Sequence, residues 1–358
     1  MLRVLTLDQS NDWDSIVRSF ENHDVYYLSN YVKAFFLHGD GTPLLFYYNQ
    51  PGLRAMNVVM KRDISDSPVF QGKIPNNQMF DLTTPYGYGG FLFSEKGDPQ
   101  LTCNLNEAYV EYCAKNGIVS EFVRFHPILR NSIHCTEIYD IVNLGKTVTM
   151  NLNNKDQIWN DLTSKNRNVI RKASKSGVEI YWGRDRQLFH EFIPLYNATM
   201  DKEDATKYYY FDEPFYYSIL HDLKYNSLIF YALLDQQVIA MSMFLLCNRK
   251  MHYHLSCSNT DYKNLASTNL LLYEAACWGC ENGYKLLHLG GGLGSTNDGL
   301  FKFKSAFNKN SDTIFSIGKK IFIKETYNEL ISIRSQNDDF DSNTTFFPQY
   351  RSTTDRKT

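Results

Sequence analysis

Residues 284–308 read YKLLHLGGGLGSTNDGLFKFKSAFN and hold the groups best suited to chemistry. Gly290, Gly291 and Gly292 follow an apolar run. They leave backbone amides unshielded at the end of a predicted strand, where open α/β units bind ligands. Lys304 offers a cation that can meet charge developing on a reacting oxygen. Asp298 stands where a helix cap is expected, and Phe303 and Phe307 lie four apart on one helix face. Asp298 and His288 are the candidate bases, and nothing in their spacing chooses between them. A glycine turn followed by a surface lysine would give the same pattern.

A second cluster is basic. Lys165, Arg167, Arg171, Lys172 and Lys175 occur with no acid among them. Arg167, Arg171 and Lys175 are spaced by four and form one helical stripe, with Leu162, Val169, Ile170 and Ala173 toward the other side. Such a stripe is either a solvated face or a contact for phosphates, which the planar fork of arginine can pair two oxygens at a time.

Other constellations carry less. Cys277 and Cys280 form C-x-x-C inside a predicted helix rather than at its start, which argues against a redox pair. His252 and His254 share a strand face with no cluster nearby to complete a metal site, so no metal is expected. The run YYYFDEPFYY, 208–217, fits burial against a sheet or the lining of an acceptor groove.

The elements that position these groups occur twice. A helix-like segment at 24–39 precedes two strand candidates, PLLFYYN and LRAMNVVMKR, and the turn-rich LTTPYGYGG. Then come a helix, which Asn104 could cap and Gly117 stop, and a strand at 119–127. In the second half, helices near 156–176, 187–200 and 213–224 precede SLIFYALLD, QVIAMSMFLL and KMHYHLSCS, read as an antiparallel meander. A helix stopped by Gly283 and the strand YKLLHL follow. This repetition predicts a duplicated α/β unit. The expected division is 1–148 and 149–330, with 335–358, polar and proline-containing, as a mobile tail.

Composition limits the function classes. The chain has 358 residues and a net charge of −2, which excludes a globally basic nucleic-acid binder while allowing a local patch. No apolar run reaches the length of a membrane span, and no secretory leader is seen. Seven cysteines without framework spacing suit a reducing cytoplasm, the expected location.

Four stretches in one order carry a resemblance: TPYGYGG (84–90), LTSKNRNVIRKASKSGVEI (162–180), the helix from Leu270 to Gly283, and LHLGGG…LFKFKSAF. Together they resemble the tandem GNAT-like proteins of the Fem family, which transfer amino acids from aminoacyl-tRNA to peptidoglycan precursors, and related N-acyltransferases of cell-surface polysaccharides. The resemblance spans nearly all of the chain but the tail. It implies an α/β (α+β) fold of two GNAT-like domains, each a mixed central sheet flanked by helices. It implies that Lys304 lies near the reacting carbonyl, and that Lys33 in SNYVKAFF contacts acceptor phosphates. Tyr86 and Tyr88 of the first signature join the candidate binding residues on the same ground. No long coiled-coil insertion is present, so compact members are the better comparison.

The expected reaction is transfer of an aminoacyl group from tRNA to an amine of a cell-wall or surface-glycan precursor, with no bound cofactor. GNAT enzymes that use acetyl-CoA cradle its pyrophosphate in a glycine loop at a helix start. Here that point reads NTDYKNLASTN (259–269), without either glycine, which disfavours acyl-CoA. An acyl-CoA-dependent N-acyltransferase acting on an amino sugar or amino acid remains the rival enzyme. A catalytically silent glycan- or peptide-binding protein of the same fold is the other alternative. A lipid-linked acceptor would bring peripheral membrane contact.

Overall fold

A computed structural model describes residues 1–94 and 99–352. The described residues divide into two compact units, one within 1–144 and 315–352, the other within 145–314. The division falls four residues before the expected boundary. The larger difference is that 315–330, expected in the second domain, belongs with the first unit.

The first unit holds β1 (Leu2–Leu5), α1 (Ser10–Arg18), α2 (Ser29–His38), β2 (Thr42–Gln50), β3 (Leu53–Asp63), β4 (Phe80–Thr83), β5 (Leu92–Phe93), α3 (Pro99–Lys115), β6 (Ile118–Arg124) and β7 (Asp140–Lys146). The second holds β8 (Val148–Asn151), α4 (Lys155–Asp161), α5 (Ser164–Lys175), β9 (Glu179–Gly183), α6 (Arg186–Lys202), α7 (Glu213–His221), β10 (Ser227–Leu234), β11 (Gln237–Cys247), β12 (Lys250–Ser258), α8 (Ser267–Glu281), β13 (Leu286–Gly290) and α9 (Gly299–Ser305). The chain then returns to the first unit through β14 (Ile314–Ile321) and α10 (Lys324–Arg334).

Sheet order in the first unit is β1-β2-β3-β4-β6-β14-β7, with β5 on β3, and in the second β8-β13-β12-β11-β10-β9. In each, a meander leads through a helix to a strand parallel to the meander's last: β4 to β6, and β12 to β13. The expected duplication is therefore present, and β10-β11-β12 is the expected antiparallel meander. Residues Ile239 to Cys247 of β11 are all buried, as a central strand covered on both faces requires.

Several helix boundaries moved. α3 begins at Pro99, so Asn104 lies inside it rather than at its cap. The segment 24–39 is a short 3-10 turn followed by α2, and the segment 156–176 is two helices. Thr163 breaks the latter by capping α5, accepting from the Asn166 amide at 3.3 Å.

Residues 335–352 are not the mobile tail expected from composition, and 353–358 lie outside the described residues. Tyr350 is fully buried among Ile64, Phe70, Val119, Tyr327 and Leu330. Its hydroxyl meets Ser120 at 2.8 Å and Asp81 at 3.2 Å, and Arg351 pairs with Asp81. A polar stretch reads as disordered when its few apolar anchors are counted without the cavity waiting for them.

Candidate functional site

β12 and β13 pair only through Lys250–His252 against Leu286–His288 among the described residues. Beyond that point β12 follows β11 and β13 follows β8. Their C-terminal ends are therefore not paired with each other at the end of the sheet where the glycine run begins. In the first unit the corresponding place is filled by the chain itself. Residues 84–89 continue along β6, Thr84 N donating to Phe122 O at 3.1 Å and Gly89 N to Arg124 O at 2.8 Å. The Arg124 guanidinium then holds the carbonyls of Thr84, Pro85 and Gly87 at 2.9–3.0 Å.

The three glycines have distinct reasons. Gly290 sits at φ +79°, a left-handed conformation that suits glycine. A Cβ on Gly292 would lie 2.3 Å from Asp298 Oδ1 and 2.4 Å from Thr296 O. Gly291 presents its carbonyl to Lys304, whose Nζ donates to it at 2.8 Å. The missing Cβ at Gly292 thus makes room for Asp298, whereas Lys304 uses a carbonyl that any residue at 291 would offer.

Asp298 caps α9, accepting from Phe301 N at 2.8 Å and from Leu293 N at 3.1 Å. The Phe301 amide foremost, with the Leu293 amide and the Lys304 charge, holds this carboxyl below its ordinary range. Carboxylate oxygens so engaged are weakly basic, which counts against Asp298 as the base. Lys304 is 9% exposed. Burial lowers its pKa to about 8, against the opposing pull of Asp298. The side chain therefore titrates close to neutrality.

His288 is buried on β13 beside His252, its register partner on β12, with ring centroids 6.0 Å apart. The β11–β12 register slips between Met243 and Phe244, which places His254 at a bulge. Burial, then the nearby His252, pushes His254 down to about 3. Phe303 packs at the edge of the second unit's core, its ring 5.5 Å from that of Phe307.

The basic stripe is only partly available. Arg167 donates to Leu162 O at 2.8 Å and to Ser164 Oγ at 3.1 Å, closing the α4–α5 corner. Arg171 lies over the Trp159 ring at 4.9 Å. Lys175 is exposed in the last turn of α5. In the first unit, Tyr86 stacks on Phe35 of α2, the helix that carries half-buried Lys33. Tyr88 is ringed by Tyr26, His126 and Phe315, and burial raises its hydroxyl pKa. In the 208–217 run, Phe211, Phe215 and Tyr216 are buried, whereas Tyr208 and Tyr217 are exposed.

Sequence reasoning missed two arrangements. Asn166 and Asn269 are bonded to each other at 2.8 Å between α5 and α8. In the first unit Asp24 and His126, both fully buried, meet at 3.0 Å. Lone asparagines on helices, and an Asp–His pair 102 residues apart, give no local signal.

Residues 163–304 match the family model described as an acetyltransferase (GNAT) domain. Together with the paired sheets, this match makes the second unit a GNAT acyltransferase domain within a tandem GNAT-like fold. Among solved structures, the chain is similar to FemX, with TM-score 0.67 and 12% identity, covering 92% of this chain and 99% of that one. It is also similar to the C-terminal (DUF2156) domain of a putative lysylphosphatidylglycerol synthetase from Agrobacterium fabrum, with TM-score 0.55 and 13% identity, covering 87% and 91%. A conserved protein of unknown function from Bacteroides thetaiotaomicron VPI-5482 gives TM-score 0.54 and 14% identity, covering 89% and 99%. No curated protein matches the chain. No described helix is long and apolar enough to cross a membrane.

Proposed function

We propose that the second unit transfers an aminoacyl group from aminoacyl-tRNA to an amine of a peptidoglycan or surface-glycan precursor, with Lys304 meeting the charge that develops on the carbonyl oxygen. The observation that carries this reading is Lys304 itself, buried and bonded to the Gly291 carbonyl at the end of β13. The amine nitrogen attacks the ester carbonyl and forms the new C–N bond. The oxyanion that results is met by the protonated lysine. Collapse breaks the ester C–O bond, releases the tRNA hydroxyl, and leaves an amide after the nitrogen loses its proton. The ester is already activated, so the enzyme need supply no nucleophile of its own.

Two features support tRNA over acyl-CoA as donor. In the loop before α8 three amides are engaged internally: Asp261 N on Asn259 Oδ1, Tyr262 N on Asn259 O and Ala266 N on Lys263 O. A pyrophosphate cradle needs such amides turned outward. The Fem-family resemblance of the sequence, to which the likeness to FemX adds the fold, favours the same donor. The description of residues 163–304 as an acetyltransferase domain favours acyl-CoA as the second reading. Lys33, Tyr86, Tyr88 and the exposed part of the 165–175 stripe would then serve acceptor and donor binding. The test is a transfer assay with labelled aminoacyl-tRNA and, separately, labelled acyl-CoA, each with amine-bearing precursors. Label moving only from tRNA supports the first reading, label moving only from acyl-CoA the second, and no transfer from either would sink both.

A further inference from the structure

α9 has seven residues and begins with Gly299, too little to hold a helix in water by its own hydrogen bonds. Its N-terminus is held by Asp298. At its other end the Ala306 carbonyl accepts two donors, Thr163 N at 3.0 Å and Asn166 Nδ2 at 3.2 Å. Asn166 is 3% exposed, and its Oδ1 accepts from Asn269 Nδ2 in the first turn of α8 at 2.8 Å. The amide therefore has one permitted orientation: its NH₂ must face Ala306 and its oxygen must face Asn269. Turned over, it would set oxygen against the Ala306 oxygen and NH₂ against NH₂.

We infer that Asn166 is a positioning residue for the transfer reaction, with Asn269 holding Asn166 in its working orientation, so that α9 presents Lys304 to the glycine run at the end of β13. The inference rests on the reading of Lys304 given above. Three elements meet in this arrangement. α8 starts after β12, α9 follows β13, and α5 carries the amide that ties both. Lys304 is two residues from Ala306, so slack at that carbonyl moves the reacting nitrogen directly.

The experiment uses the full-length protein labelled with ¹³C at lysine Cε, and assigns the Lys304 signal by its loss in Lys304→Met. In wild type that signal should titrate near pH 8. In Asn166→Leu, which keeps bulk and removes both hydrogen bonds, α9 loosens and the nitrogen gains water. The midpoint then rises toward the ordinary lysine value of 10.5, in the direction the Asp298 charge already pulls it in both proteins. Asn269→Ala, which leaves the Ala306 bond free to form, gives a smaller shift in the same direction. In the transfer assay kcat falls on the order of tenfold to a hundredfold with KM little changed, as small displacements of reacting groups do.

A purely structural amide would lower the melting temperature and leave the Lys304 midpoint near 8, and that result overturns the inference. Should Asn166→Leu fail to fold, Asn269→Ala decides by the same midpoint. The titration needs no substrate, so its outcome is independent of the donor. A shifted midpoint in a protein that transfers nothing would retain the positioning and discard the proposed function.

Discussion

Lys304 and Gly291 are joined by a 2.8 Å hydrogen bond from the lysine Nζ to the glycine carbonyl. The bond runs from a short helix back to the glycine run that ends the preceding strand. One charged nitrogen is thereby held out of water, with the Gly291 carbonyl as its acceptor and the Asp298 carboxylate as the nearby counter-charge.

Removing this lysine separates its two effects. Lys304→Ala should lower kcat by about 10²–10³-fold, the range found when a single donor to an oxyanion is lost. Acceptor affinity by calorimetry should change little. Turnover equal to wild type would end the proposed role.

Lys304→Met should be more stable than wild type at pH 7. A lysine whose folded pKa lies near 8 rather than 10.5 destabilises the fold by up to about 3 kcal/mol below pH 8. That penalty fades as pH rises from 8 to 10.5. The gain is reduced by about 1 kcal/mol for the lost hydrogen bond. Urea unfolding at pH 7 and pH 10 should show the advantage at the lower pH and its loss at the higher.

Activity should also report the titration. The protonated lysine is the competent form, so kcat should decline as pH rises through about 8. In Lys304→Arg, whatever activity survives should lack this limb, because a guanidinium stays charged. A wild-type profile flat from pH 7 to 10 would contradict the role.

Glycine substitutions test the loop. Gly292→Ala drives a Cβ against Asp298 and the Thr296 carbonyl, and should cost about 1–3 kcal/mol. Gly299→Ala meets nothing within 4 Å at the start of α9 and should add up to about 1 kcal/mol. Equal unfolding midpoints for the two variants would refute the account of Gly292.

The C-terminal segment should behave as core. Tyr350→Ala should destabilise the protein by about 3–5 kcal/mol, as loss of a buried aromatic does. Burial raises the Asp81 pKa, but Arg62 and Arg351 outweigh it and the net shift is downward. Its contribution is present above the ordinary carboxylate range and is lost as pH falls through its lowered value. Arg351→Ala should narrow the acid-stability difference, read from unfolding at pH 7 and at a pH well below the ordinary carboxylate range. A wild-type melting temperature after removal of residues 349–358 would show the segment to be dispensable.

What the sequence determined by itself was local or periodic. The β10-β11-β12 meander, the stop at Gly283 and the Asp298 cap depend on residues within a few positions of one another. Alternation, capping geometry and left-handed glycine are short-range effects, and the duplication was visible because the same short-range pattern occurs twice. Where distant segments meet, only the tertiary structure decided. Arg167 belongs to a phosphate-like stripe on a helical wheel, yet its fork closes the α4–α5 corner. Residues 335–352 are polar enough to read as disordered, yet Tyr350 fills a pocket built by residues far away in the chain. Asn166 reaches Ala306 across 140 positions, and Lys304 owes its lowered pKa to burial. Burial and long-range pairing depend on which surfaces the folded chain brings together, and no window of neighbouring residues contains that information.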